Sequence, residues 1–200
     1  MVDWYVLLIY IALWSSFGII HSIFASSTIK RIFPLSNQLY RIVYNVLQGA
    51  LFLLLLYFLP SITSILLGIR DLSILKIILF LLVSGLGSLI ATIGFANWNL
   101  KGLIGLTKED DPLITKGIYA FSRHPVYTGV ILIFLSTLII EWSANSLSWV
   151  IGGGGYFVWG SYFEENKLKT GFIEYAEYAK NVGQFFPWRK IHVEYLLRNK

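Results

Sequence analysis

Apolar residues run along this chain in long blocks broken by short polar knots, rather than alternating in twos. A helix that crosses a bilayer needs about 20 mostly apolar residues, and residues 4–25, 42–59 and 74–98 meet that requirement. Two shorter apolar stretches, 125–140 and 146–163, flank a polar break at 141–145 and predict a helical hairpin, tilted or shielded by protein. The expected fold is all-α: a polytopic membrane protein with about five transmembrane helices, the last two a hairpin, and a C-terminal interfacial tail. It forms a single integral membrane domain. Residues 1–98 supply three N-terminal spans, and residues 99–200 supply a loop, the hairpin and the tail. Only Met1, Val2 and Asp3 precede the first span, with no basic segment, so it reads as a retained anchor rather than a signal peptide.

Composition narrows the classes further. Hydrophobic residues make up 56% of the chain and charged residues 14%, against about 25% charged in a soluble domain. That balance excludes an ordinary soluble domain, and disorder needs the opposite composition. The absence of cysteine excludes a disulfide framework, thiolate metal sites and a cysteine nucleophile. A net charge of +5 does not point to nucleic acid, because the basic residues gather at the ends of apolar segments. Fourteen of the 16 Lys and Arg fall on the side shared by alternate connections, leaving Arg70 and Lys76 on the other. The positive-inside rule then puts the N-terminus outside, with the 101–124 connection and the C-terminus both in the cytoplasm. His21, His124 and His192 lack metal-ligand spacing, so no metal is expected. Gly85 and Gly87 lie in an apolar helix with no strand before it, which is not a dinucleotide fingerprint.

Candidate chemistry concentrates at the cytoplasmic mouth of the fourth span. Pro125 suits the first turn of a helix, and the free N–H groups there suit an anionic or polar ligand. The alternative is that Arg123 and His124 simply mark the membrane interface. Glu164 and Glu165 close the fifth span against a basic background, and carboxylates near a membrane need partners. Either they pair with Lys167, Lys169 or Arg123, or they face a cationic ligand. The hairpin brings both groups to one side, where a ligand bearing an ammonium and a sulfonium would fit. The glycine run from Gly152 to Gly155 admits close approach of a helix or of a ligand. Residues 174–180 have the mix of a short interfacial helix, and Phe185, Phe186 and Trp188 are suited to anchor it at the headgroups.

These motifs resemble a family of integral-membrane methyltransferases of the isoprenylcysteine carboxyl methyltransferase type, which includes phospholipid N-methyltransferases and small thiol methyltransferases. The matching features are Gly117-Ile118-Tyr119, Arg123-His124-Pro125-Val126-Tyr127-Thr128-Gly129, Glu164-Glu165 and Tyr175-Ala176-Glu177-Tyr178 with Pro187. They cover roughly the C-terminal half. The resemblance implies S-adenosylmethionine as cofactor. Carried over by motif, it is implied to contact Asp111, Pro112, Leu113, Ile114, Tyr119, His124, Pro125, Val126, Tyr127 and Glu164, with Glu165 as a second carboxylate. Arg123 and His124 are the candidate catalytic residues, positioning cofactor or acceptor, and His124 is also a candidate base. The implied acceptor is a small or lipophilic thiol, a prenylcysteine carboxylate or a lipid amine. Relatives that use prenylcysteine carry an arginine where this chain has Gly160, which counts against that carboxylate substrate.

In the N-terminal half, His21-Ser22-Ile23-Phe24-Ala25, Lys30 and Tyr40-Arg41-Ile42-Val43-Tyr44-Asn45 are similar to the first two spans of bacterial thiol methyltransferases and NnrU-like membrane proteins. His21 and Asn45 either tie helices together or, as the resemblance implies, line the acceptor side. The expected partners are the methyl acceptor and membrane lipids, with no nucleic acid and no metal. The competing readings are a sterol-reductase-like NADPH enzyme and a non-enzymatic membrane scaffold or transporter.

Overall fold

The computed structural model describes residues 3–58, 72–98 and 112–187. Its elements are α1 (Trp4–Phe24), α2 (Ser27–Ile32), α3 (Asn37–Phe58), α4 (Ile74–Phe95), a 3-10 turn (Gly117–Ala120), α5 (Pro125–Ile140), α6 (Ala144–Ser148), a π-helical turn (Trp149–Gly154), α7 (Gly155–Gly171) and α8 (Tyr175–Asn181). No strand occurs among the described residues. Local chemistry sets the starts. The Asp3 carboxylate accepts from the N–H groups of Tyr5 and Val6, and the Ser26 hydroxyl accepts from Ile29, so each satisfies orphan donors at a helix start. Ser36 does the same for Leu39, which starts α3 five residues before its apolar block begins. Pro125 opens α5.

Helices α1, α3 and α4 are long and apolar enough to cross a membrane, and α5 is a shorter apolar helix. Large apolar side chains such as Leu8, Val46, Leu53 and Leu82 stand exposed along them. In water that surface would be a severe liability, and in lipid it is the ordinary outer face. The chain is an integral multi-pass membrane protein.

Lipid gives helices no hydrophobic reason to associate, so close backbone contact must do it. A Cβ placed on Gly87 would lie 2.6 Å from the carbonyl oxygen of Gly129, and one on Gly129 would lie 2.6 Å from the amide nitrogen of Ala91. Gly94, two turns further along α4, meets Val126 and Pro125. Helices α4 and α5 therefore touch along a stripe of small residues that ends at the start of α5.

The aromatic core is the second contact region. Trp14 and Phe17 of α1, Leu55 of α3, Ile140 of α5 and Trp149 bury one another. Trp14 lies edge-on to Trp149 at 5.6 Å between ring centres, and its indole occupies the space that a side chain at Gly152 would fill. The glycine run thus divides: Gly152 and Gly153 accept Trp14 and Phe134, whereas Gly154 and Gly155 have nothing within 4 Å of a would-be Cβ.

Two outcomes differ from the pattern-based expectation. The last helical stretch runs to Gly171 rather than stopping near 163, because no helix breaker follows Gly160 until then. The helix expected at the membrane interface turns its tyrosines inward: Tyr175 is 0% exposed and Tyr178 3%, in a cluster with Val182 against which Leu113, Leu168 and Phe172 pack. Trp188 and His192 lie outside the described residues.

The glycine contacts make a direct prediction. Gly129→Ala is expected to destabilise the detergent-solubilised protein by about 1–3 kcal/mol through overpacking, whereas Gly85→Ala, on α4 with open space around a would-be Cβ, is expected to be neutral or slightly stabilising. Loss of folded monomer on heating, followed by size-exclusion chromatography, checks both.

Candidate active site

The site is assembled where the 3-10 turn, the start of α5, the end of α7 and the segment after α8 converge. Gly117 has a φ of +62°, a conformation other residues rarely adopt, and this lets the chain turn sharply into Gly117–Ala120. Tyr119 is buried by that turn. Its hydroxyl accepts from the Trp98 indole N–H at 2.6 Å and donates to the Gly94 carbonyl at 3.3 Å, while its own carbonyl accepts from the Tyr178 hydroxyl at 2.6 Å. Burial pushes the Tyr119 hydroxyl above its ordinary pKa, against the opposing effect of the Trp98 hydrogen bond. The amides of Arg123 and His124 donate to the carbonyls of Gly183 and Gln184, so the chain after α8 is stitched to the entrance of α5.

Glu164 and Glu165 are adjacent on α7 and so point about 100° apart, and the structure gives them different environments. Glu165 is buried. Its Oε1 accepts from Arg123 Nε at 2.8 Å and Nη2 at 2.6 Å, and lies 3.3 Å from His124 Nε2. Arg123 is fully committed there, since Nη1 also donates to the carbonyls of Ala179 and Val182. Burial alone would raise the Glu165 pKa, but the hydrogen bonds from His124 and Arg123 and the Arg123 charge outweigh it and bring it down to about 2. Burial also raises the Tyr175 hydroxyl beside this pair, reinforced by the Glu165 charge. Glu164 keeps 42% of its side chain exposed. Its Oε2 accepts from the Tyr127 hydroxyl at 2.8 Å and lies 3.7 Å from His124 Nδ1. His124, stacked on Tyr127 with 5.4 Å between ring centres, stands between the two carboxylates.

Two cavities meet at this point. The narrower, about 240 Å³, is walled by Pro112, Leu113, Ile114, Tyr119, Arg123, His124, Pro125, Val126, Tyr127 and Glu164, together with Trp98, Leu168, Phe172, Tyr175 and Tyr178. The wider, about 1360 Å³, lies between α1, α3 and α7 and reaches His21, Tyr44, Gly155, Tyr156 and Gly160. Tyr127 and Glu164 line both. The His21 ring contacts the Tyr44 hydroxyl at 3.1 Å on the wider side.

The narrower cavity suits a cofactor with cationic groups. Glu164 presents a carboxylate with no Lys or Arg within ion-pair distance among the described residues, and the surrounding rings of Trp98, Tyr119 and Tyr127 suit both an adenine face and a positive charge.

All the cofactor-side residues expected from sequence come together here except two. Asp111 lies outside the described residues, and Glu165 is turned away from the cavity into the Arg123–His124 cluster. On the other side His21 lines the wider cavity, while Asn45 lines neither. Sequence reasoning did not identify Trp98, Leu168 or Phe172. Leu168 follows Glu164 by one turn on the same face of α7, and Phe172 caps that helix just beyond it.

The depressed Glu165 pKa gives a signed prediction. Its ion pairs contribute stability above the unfolded carboxylate value near 4.3, and that contribution is lost as pH falls through about 2. Glu165→Gln is expected to lower Tm at pH 7 by about 5 °C or more, with the gap to the original protein closing below about pH 4. Thermal unfolding across pH in detergent checks it; a gap unchanged at pH 3 would contradict the assignment.

A family model described as Phospholipid methyltransferase matches residues 73–174, from α4 to the end of α7. No curated protein and no solved structure matches the chain. The matched segment holds the Arg123-His124-Pro125 turn and both glutamates, which sets the methyltransferase reading above the reductase and scaffold alternatives. The chain belongs to the phospholipid methyltransferase family of S-adenosylmethionine-dependent membrane methyltransferases.

Proposed function

We propose that the narrower cavity holds S-adenosylmethionine, the wider one holds a lipophilic acceptor admitted from the bilayer, and the methyl group passes at their shared wall. The observation that carries this reading is that Tyr127 and Glu164 border both cavities and hydrogen-bond to each other. S-adenosylmethionine supplies an electrophilic methyl group on a sulfonium, so no covalent bond to the protein is required.

The protein's own part is positioning. Glu164 offers its carboxylate to the positive end of the cofactor, Tyr119, Tyr127 and Trp98 shape its pocket, and residues 112–114 with His124, Pro125 and Val126 close the wall. Glu165 and Arg123 act one step back: together they hold His124 and the segment after α8 in place. Because His124 Nδ1 lies nearest Glu164, it orients that carboxylate. Holding a nucleophile in line and about 3–3.5 Å from the methyl carbon lowers the barrier mainly through orientation. Where the acceptor is anionic, its charge and the sulfonium charge cancel in the transition state, and a site walled by lipid-embedded helices helps by excluding water. His21 and Tyr44 belong to the acceptor side.

In this reading the protein crosses the membrane about five times, α5 and the α6–α7 stretch forming the final hairpin. The basic-residue distribution supports an orientation with the N-terminus outside and both the site and the C-terminus in the cytoplasm.

Isothermal titration calorimetry with S-adenosylmethionine on the detergent-purified protein tests the proposal. Binding is expected for the unaltered chain, with Kd raised about tenfold in Glu164→Gln, equivalent to about 1.4 kcal/mol. His21→Ala is expected to leave that Kd unchanged. Absence of binding by folded protein would refute the assignment of the narrower cavity.

A further inference from the structure

Methyl transfer to a nucleophile that carries a proton requires a group to take that proton, and the wider cavity offers few. Tyrosine hydroxyls and Lys or Arg side chains are already protonated near pH 7, so among the residues lining this cavity only His21 and Glu164 can accept one. Glu164 already accepts from Tyr127 and stands against His124. His21 is left, on α1, outside the segment that the family model matches.

The surroundings of the His21 ring suit a changing protonation state. The Tyr44 hydroxyl of α3 stands 3.1 Å from both ring nitrogens and has one hydrogen to offer them. Gln48, one turn further along α3, lies beside the same ring. It is 7% exposed, and neither its amide nitrogen nor its amide oxygen completes an aligned hydrogen bond with protein. A buried amide left open in this way is costly. A hydroxyl and an amide each donate and accept, so these two neighbours can satisfy the ring both as neutral imidazole, with one N–H, and as imidazolium, with two. No carboxylate lies within ion-pair distance of the ring among the described residues, so no fixed charge locks it in the protonated form. A histidine that only tied α1 to α3 would gain nothing from partners able to reverse polarity.

Packing also connects the ring to the site of transfer. A Cβ at Gly18, three residues before His21, would lie 3.2 Å from the Tyr156 ring, and the His21 and Tyr156 rings meet edge-on at 5.7 Å. Phe157 and Tyr127 continue the row at 5.2 and 5.1 Å between ring centres. Aromatic rings therefore run from His21 to the shared wall. The titratable and charged groups facing the ring are Tyr44 from α3 and Tyr156 and Lys167 from α7.

We infer that His21 is the proton acceptor for the group that is methylated, with Tyr44 and Gln48 as its positioning residues. The inference rests on the two-cavity reading above and adds a catalytic group on α1. The nucleophile gives its proton to a ring nitrogen, directly or through one water, and keeps the bonding pair. That pair forms the bond to the methyl carbon while the carbon–sulfur bond breaks, its electrons passing to sulfur as the sulfonium becomes a neutral thioether. The imidazolium then returns its proton to water at the cytoplasmic rim.

Proton uptake is read without turnover by an alkyl-substituted 4-nitrophenol, colourless as the acid and yellow as the anion. It is added to cofactor-free protein slightly below the pH at which it ionises in detergent alone. The original chain is expected to turn it yellow, Tyr44→Phe and Gln48→Leu to weaken the colour, and His21→Gln, which keeps a hydrogen-bonding side chain, to leave it colourless. Turnover with S-adenosylmethionine then compares octanethiol and octylamine, which must lose a proton, with thiooctanoate, which is already ionised. At least one of the first two is expected to be methylated, with kcat lowered about 100-fold or more in His21→Gln and about tenfold in Gln48→Leu. Added imidazole is expected to restore much of that rate to His21→Ala, and thiooctanoate methylation is expected to fall less than about threefold in His21→Gln. Colour that is absent from the original chain or undiminished in His21→Gln would overturn the assignment. So would equal loss with ionised and proton-bearing acceptors, or methylation of neither proton-bearing acceptor by protein that binds the cofactor. Calorimetry with S-adenosylmethionine on the same samples separates the two levels: failed cofactor binding refutes the assignment of the narrower cavity, while intact binding with any of those results refutes the role of His21 alone.

Discussion

One buried guanidinium holds the site together. Arg123 leads into α5, yet its donors go to the Glu165 carboxylate on α7 and to the carbonyls of Ala179 and Val182 at the end of α8. A charge in that setting is costly unless its donors find partners, and here the partners come from α7 and from the end of α8. The clamp brings Tyr175 and Tyr178 over the narrower cavity and fixes the amides that join residues 123–124 to residues 183–184. By neutralising Glu165 it also leaves the neighbouring Glu164 as the carboxylate that faces the cavities.

The division of labour between two adjacent glutamates follows from helix geometry, and so does the position of the shared wall. Tyr127 lies in the first turn of α5, anchored in turn by the stripe of small residues that presses α5 onto α4. Glu164 lies on α7, whose preceding π turn seats Trp14 of α1 against Gly152. Packing in the apolar layer thus sets the distance between Tyr127 and Glu164 across the cavities. Small side chains do two jobs: Gly87, Gly129 and Gly152 let backbones and rings come close, while Gly155 and Gly160 leave space beside the wider cavity.

Much of this was legible in the chain itself. Apolar block length located α1, α3 and α4 within a few residues, because lipid makes hydrophobicity a strong constraint. The Arg-His-Pro turn and paired glutamates named most of the narrower cavity. What stayed hidden depends on direction rather than on residue type. The motif put Glu164 first, but nothing in the sequence showed that Glu165 turns away from the cavity, or that the aromatic face of α8 is covered by protein instead of headgroups. Asn45 and His21 looked equivalent as polar residues in apolar helices, yet only His21 lines the wider cavity.

The central claim, that cofactor and acceptor occupy separate cavities meeting at Tyr127 and Glu164, can be tested on a clean chemical background because the chain has no cysteine. The measurement is the rate of maleimide labelling of Ile114→Cys, on the narrower cavity, and of Gly160→Cys, on the wider one, with and without S-adenosylmethionine. The account predicts that cofactor slows labelling at position 114 and leaves position 160 unchanged. Protection at 160 alone, or at neither position in protein that binds the cofactor, would contradict it.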